Sequence, residues 1–227
     1  MTVNICVALT AQDINQLTTM IAQSEQEGAS IIEIRLDYLD ELPQFEEIRD
    51  MTTLPLIATN RSPNEGGFKT INETARIQSL INAASAGFEY IDLEWQTPQV
   101  QQLCAKLKGF SNTQIILSHH DFHASPTLKQ LSNIHHKQVQ AGADICKIIF
   151  TANTITDNLL CLDFVHQVSK NQRIISFCMG SQGLMSRLFS PLFGGFLTYA
   201  AIEEGKEAAA GQITLAEMKQ FYEMITQ

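Results

Sequence analysis

Residues 144 to 150 read DICKIIF and set Lys147 inside an apolar run with the length and β-branched content of a buried strand. Burying an ammonium there is costly unless it is paired or gives up its proton. Residue types alone leave two outcomes open. At a strand end, the long stem lets the charge reach water. Enclosed by apolar walls, with its neutral form favoured, the amine becomes a nucleophile that forms an imine with a ketone or aldehyde. Imine chemistry needs a base, and the stretch LSHHDFH at 117 to 123 supplies histidines. His119, His120, Asp121 and His123 are also possible metal ligands, but on a strand His119 and His120 face opposite ways and cannot share one ion. A metal site would have to borrow Glu33 or Asp92 from other strands, so no metal is expected. His120 could be a core histidine bonded to a backbone carbonyl, a reading that loses ground because a histidine beside an imine-forming lysine is what proton abstraction next to a carbonyl requires. Glu65, in NEGGF, is a carboxylate able to orient that imidazole; by itself NEGGF reads as a glycine turn. His123, His135 and His136 read as exposed residues without a role.

These residues must be positioned by the elements around them. Eight short apolar, β-branched runs recur: NICVAL, IIEIRL, LPLIAT, FEYIDLE, QIILSHH, DICKIIF, RIISFCM and, more weakly, GFLTYAA. Stretches with helical spacing or composition lie between them, at 13–27, 72–86, 98–108, 127–140, 156–169 and 214–226, with shorter ones at 40–50 and 182–190. Strand then helix, repeated about every 28 residues, predicts an α/β protein with a parallel sheet. Eight repeats favour a closed (β/α)₈ TIM barrel over an open doubly wound sheet, and no G-x-G-x-x-G follows the first strand. No linker or low-complexity tract divides the chain, so residues 1–227 are expected to form one domain. In a barrel, polar residues at the C-terminal ends of strands gather at one mouth. Here that brings together Glu33, Arg35 and Asp37, then Arg61 and Glu65, then Asp92 and Glu94, then Ser118 to Asp121, and finally Lys147.

Composition narrows the class further. A 227-residue chain with 44% apolar residues can bury a sizeable core. Fifteen Lys plus Arg against 24 Asp plus Glu give a net charge of -9, which works against binding nucleic acid or an anionic membrane. The first residues show no secretory leader, and no stretch approaches about 18 uninterrupted apolar residues, so a cytoplasmic protein is expected. Cysteines 6, 104, 146, 161 and 178 form no C-x-x-C pair, and read as reduced core residues.

Several separated blocks then resemble, in order, the type I 3-dehydroquinate dehydratase family over almost the full length. EIRLD at 33–37 resembles its E-x-R-x-D strand, and TNRSPNEGG at 59–67 its R-S-x-x-E-G-G block. IDLE at 91–94 followed by IILSHHDF at 115–122 is similar to the signature around the family's catalytic histidine. GADICK at 142–147 resembles the block holding its imine-forming lysine. SFCMGSQGLMSR at 176–187 and AAAGQI at 208–213 resemble the segments that hold the substrate carboxylate and close the site. The resemblance implies dehydration of 3-dehydroquinate without a cofactor, with Lys147 as nucleophile, His120 as base and acid, and Glu65 orienting it. It implies that Arg187 grips the carboxylate, that Glu33, Arg35 and Arg61 bind ring hydroxyls, and that Gln212 reaches in from a closing loop. Met179 and Phe177 would line the pocket, and the resemblance implies a homodimer. The sequence departs from the pattern at Ala8 and Ala208, where a hydroxyl is common, at Ala210, where proline is common, and at Trp95. The loop from Tyr199 to Gln212 is about two residues longer, and the family's extra N-terminal hairpin is missing. Other readings of the same residues are a sugar-phosphate aldolase using MGSQGLMSR for phosphate, a metal-dependent hydrolase, and a silent binding protein.

Overall fold

A computed structural model describes residues 3–225, apart from 71, 111 and 124. Eight strands run β1 (Ile5–Leu9), β2 (Ile31–Arg35), β3 (Leu56–Thr59), β4 (Tyr90–Glu94), β5 (Gln114–Asp121), β6 (Ile145–Thr151), β7 (Arg173–Met179) and β8 (Thr198–Ala200). They alternate with α1 (Ile14–Gln26), α2 (Phe45–Asp50), α3 (Glu73–Ser85), α4 (Val100–Leu107), α5 (Leu128–Ala141), α6 (Asp157–Val168), α7 (Leu184–Phe189) and α8 (Leu215–Ile225). The strands form one sheet in the order β7-β6-β5-β4-β3-β2-β1-β8, parallel throughout. A hydrogen bond from the Phe196 amide to the Ile174 carbonyl, 2.8 Å, spans the two ends of that order. The result is a (β/α)₈ barrel, as the eightfold alternation predicts.

Side-chain alternation along each strand divides the core in two. Cys6, Ala8, Ile31, Ile57, Ile116, Ile145, Ile149 and Ile175 fill the barrel. Their neighbours in sequence, such as Val7, Ile32, Ala58, Ile115, Ile148 and Ile174, pack outward under the helices. Three helices start where side chains satisfy free amides: Asp13 caps α1, Asn72 caps α3, and Thr127 with Gln130 forms a capping box on α5.

Two details differ from the sequence reading. The last strand is only three residues long, because the 3₁₀ turn Ser190–Phe193 holds the preceding backbone, with Gly195 N–H bonded to the Ser190 carbonyl at 2.9 Å. His135 is half-buried, not exposed, and its ring stands edge-on to Phe164 at 6.2 Å. No helix among the described residues is long and apolar enough to cross a membrane.

Candidate active site

Ile145 and Ile149 lie in the barrel interior, so the period of two turns Lys147 inward as well. The side chain does not snorkel out: Lys147 is 4% exposed. Its ammonium is met by groups from three other strands, two carboxylates and one phenol hydroxyl. Nζ lies 2.8 Å from Asp92 Oδ2, 3.1 Å from the Tyr199 hydroxyl and 3.6 Å from Glu33 Oε1. Asp92 is fixed in turn, with Oδ1 accepting from Ser118 Oγ at 2.6 Å and Oδ2 lying 2.8 Å from Arg61 Nη2. Arg61 continues the network to Glu94 at 3.0 Å, and Glu94 bridges to Arg76 at 2.8 Å. These charges are nearly free of solvent, and they persist there because each finds opposite charge and hydrogen bonds. Burial opposes the charge on Arg61, but Asp92 and Glu94 outweigh it and raise the guanidinium pKa. Burial likewise opposes ionisation of Asp92, and Arg61 and Lys147 overcome it, holding the carboxyl well below its ordinary range.

At the end of β5, His120 meets Glu65. Glu65 Oε2 accepts from the His120 backbone amide at 3.0 Å and lies 3.0 Å from Nδ1 of the same residue. Burial acts to raise the Glu65 carboxyl, but the imidazoles of His119 and His120 bring it down to about 2. An ionised carboxylate only accepts, so Nδ1 of His120 carries the proton and Nε2 keeps a free lone pair. His120 itself is held to about 3, first by burial and then by the charge of Arg61. The pair is therefore a neutral imidazole in the tautomer a general base requires.

The turn that presents Glu65 depends on its glycines. A Cβ on Gly67 would fall 2.0 Å from the Arg61 carbonyl oxygen. Arg35 and Asp37 secure the same turn from β2: the guanidinium binds both carboxylate oxygens at 2.9 and 2.7 Å, and Asp37 accepts from the Phe68 amide at 2.9 Å. Glu33 is fixed by Thr59 Oγ1 at 2.7 Å.

Arg187, on α7, is 1% exposed, yet its Nε and Nη2 have no hydrogen-bond partner among the described residues. The guanidinium carbon lies 4.3 Å from the Phe177 ring centroid. Burial lowers its pKa to about 10, so it stays charged at neutral pH. A buried cation without a partner is expensive, and one facing a cavity is suited to an anion brought by a ligand.

These groups line one cavity of about 330 Å³, which Lys147, His120, Glu65, Glu33, Arg35, Arg61, Arg187 and Gln212 all reach. Phe177, Met179 and Tyr199 give it apolar walls, and Ala208 to Ala210 cover one side. The covering loop is docked on the end of β7, where the Gly180 amide donates to the Ala210 carbonyl at 3.3 Å. Gly211, at φ +80°, packs so closely that a Cβ would lie 2.7 Å from the Gly180 oxygen. Gln212 does not extend freely into the cavity, since its Oε1 accepts from the Ala208 amide at 2.7 Å.

Every residue to which the sequence resemblance gives a site role thus reaches one cavity. Two others contact the Lys147 amine without having been assigned a role. Asp92 was visible in the IDLE block as a strand-end carboxylate. Tyr199 lies in the weak GFLTYAA run, where nothing local marks its hydroxyl. His119 was expected to point away from His120, yet its Nδ1 approaches the other Glu65 oxygen to 3.9 Å, beyond hydrogen-bond distance, so its pull on the carboxylate is weaker than that of His120 at 3.0 Å. Among the described residues no group of three or more His, Cys, Asp or Glu is placed to hold a metal ion.

The profile of the type I 3-dehydroquinase family matches residues 5–227. The chain belongs to that family. It is 35% identical over 212 residues to the 3-dehydroquinate dehydratase of Dehalococcoides mccartyi, an alignment covering 93% of each chain. To the 3-dehydroquinate dehydratase of Desulfotalea psychrophila it is 37% identical over 194 residues, 85% of each. The solved structure of 3-dehydroquinate dehydratase from Geobacillus kaustophilus superimposes with a TM-score of 0.91 at 20% identity, covering 99% of this chain and 91% of that one, a likeness of fold.

Proposed function

We propose that the chain dehydrates 3-dehydroquinate to 3-dehydroshikimate, on the route to chorismate and the aromatic amino acids, through an imine on Lys147. The observation that carries this reading is a buried Arg187, with no hydrogen-bond partner for Nε and Nη2 among the described residues, in the same cavity as an enclosed lysine and a neutral histidine. A carboxylate on Arg187 fixes one end of the ligand. Lys147 gives up a proton as its amine attacks the ring ketone, a second proton follows to the same oxygen, and water leaves as the iminium forms. The positive nitrogen acidifies the adjacent C–H, and His120 Nε2 removes that proton while Glu65 holds the ring and stabilises the imidazolium. The same histidine returns the proton to the departing ring hydroxyl. Water then releases the conjugated product and restores the amine. Glu33, Arg35 and Arg61 bind the ring hydroxyls, and Gln212 contributes once its bond to Ala208 is exchanged for one to substrate.

No step in this sequence uses a metal or cofactor. Residues 1–227 act as one catalytic domain on a small-molecule substrate, without nucleic acid or membrane as partner. The family resemblance supports a homodimer acting in the cytoplasm, for which sedimentation and fractionation are the tests. Activity is tested by mixing the protein with 3-dehydroquinate and following absorbance of the conjugated enone. Steady growth of that band is expected, and its absence at substrate saturation would overturn the reading.

A further inference from the structure

Two groups in contact with Lys147 have no role in the dehydration scheme above: Asp92, which anchors the ammonium at 2.8 Å, and the Tyr199 hydroxyl, which can both give and take a proton. The Tyr199 hydroxyl lies 3.1 Å from Lys147 Nζ and 3.3 Å from Glu33 Oε1, inside the cavity. The Tyr199 ring also lies under the ammonium, 4.5 Å from Nζ to its centroid. A phenol in the barrel wall that only needed to fill space could be phenylalanine. This one places its single polar atom between the nucleophile and a carboxylate.

Forming an iminium from an ammonium and a ketone has a fixed proton balance. The nitrogen begins with three protons and ends with one, while the ketone oxygen leaves as water with two. Both protons on that water therefore originate on Lys147, one transferred as the N–C bond forms and the other as the C–O bond breaks. When Nζ attacks, the ketone oxygen is bonded to the attacked carbon, so it comes within reach of a hydroxyl that already touches Nζ. Resting on the dehydratase reading above, we propose that Tyr199 is a further catalytic residue that relays a proton from Lys147 to the ketone oxygen during imine formation. Its oxygen accepts a proton from nitrogen while its own proton passes to the substrate oxygen. The phenol ends as it began, and Glu33 accepts from it between turnovers.

A relay must be neutral, able both to give and to accept. Burial, reinforced by the negative charges of Glu33 and Asp92, pushes the Tyr199 phenol well above its ordinary value and keeps it protonated. Division of labour with His120 follows. The histidine serves C–H abstraction and loss of the ring hydroxyl, and the tyrosine serves the carbon that becomes the imine.

Rapid mixing with 3-dehydroquinate, a borohydride quench and intact-mass analysis test this. The masses separate the substrate adduct from the dehydrated adduct, which is one water lighter. Tyr199→Phe keeps the ring that packs against Phe177 at 6.1 Å, and circular dichroism checks its fold. It is expected to form the Lys147 adduct about 10- to 100-fold more slowly, the range for losing a hydrogen bond to a charged group. Conversion of substrate adduct to dehydrated adduct should stay within about twofold of wild type, because His120 and Glu65 are untouched. Adduct formation at the wild-type rate would overturn the relay, as would an equal slowing of both steps, which would mark a general packing role. If the wild type forms no adduct at all, the dehydratase reading itself fails, and this result is distinct because it appears before any variant is used.

Discussion

Lys147 Nζ and Arg61 Nη2 each lie 2.8 Å from the same oxygen of Asp92. One buried carboxylate oxygen thereby holds both the candidate nucleophile on β6 and the arginine that follows β3. Such a shared contact is favourable only while the carboxylate is charged, and the local positive charge keeps it so. Asp92→Asn removes that charge and leaves two buried cations to one fewer partner. The expected cost is about 3–5 kcal/mol of stability, read from urea unfolding, together with at least about a tenfold loss of kcat as the amine loses its anchor. An unchanged unfolding midpoint would show that Asp92 is not what holds the cluster.

Arg187 supplies a planar donor pair that a lysine cannot reproduce. Arg187→Lys should weaken substrate binding by about 1.5–3 kcal/mol, the worth of a charge-assisted hydrogen bond. The Michaelis constant should rise accordingly, with a smaller change in kcat. A Michaelis constant equal to wild type would mean that another cation binds the carboxylate.

Gly67 tests the support of the base. Alanine there places its Cβ 2.0 Å from the Arg61 carbonyl, so the turn must shift and carry Glu65 with it. A displacement near 1 Å costs about 100-fold in a positioned reaction. Gly67→Ala should therefore lose about that much kcat while circular dichroism stays native. Full activity would show that the turn relaxes without moving Glu65.

The shifted groups also set the acid response. Folding lowers His120 from 6.5 to about 3. Above pH 6.5 the folded and unfolded chains are both neutral at this residue. Below it the unfolded chain takes up a proton that the folded chain refuses, so stability falls as pH drops from 6.5 toward 3. Glu65, lowered from 4.5 to about 2, acts in the same direction between those two values, because the unfolded carboxylate protonates first. Melting temperature should fall from pH 6.5 to pH 4, and less steeply in His120→Gln. Equal slopes would place the loss elsewhere.

The barrel was legible because its strands are largely buried and therefore appear as short apolar runs, each followed by a helical stretch, three of them opened by a side-chain cap. Lys147 stood out because charge is rare in such a run, and Arg187 and Gln212 emerged from motif blocks rather than from local physics. What could not be read was partnership across the barrel. Asp92, Glu33 and Tyr199 meet Lys147 from β4, β2 and β8, separations that only barrel closure removes. The same applies to His119, since a strand's alternation does not show how far a ring reaches around its edge. Gln212 lines the cavity as expected, but its Oε1 is bonded to the Ala208 amide of its own loop, a local contact that composition does not reveal.

The central claim is that Lys147 forms the imine and His120 moves the protons. Borohydride added with 3-dehydroquinate, followed by peptide mapping, tests it most directly. Wild type should be labelled irreversibly at Lys147, and Lys147→Ala should show no label and almost no turnover. His120→Ala keeps the nucleophile, so a covalent adduct should remain visible by intact mass while turnover drops by about 10² to 10⁴-fold or more. Labelling of Lys147→Ala as complete as that of wild type, mapped to a different lysine, would contradict the account.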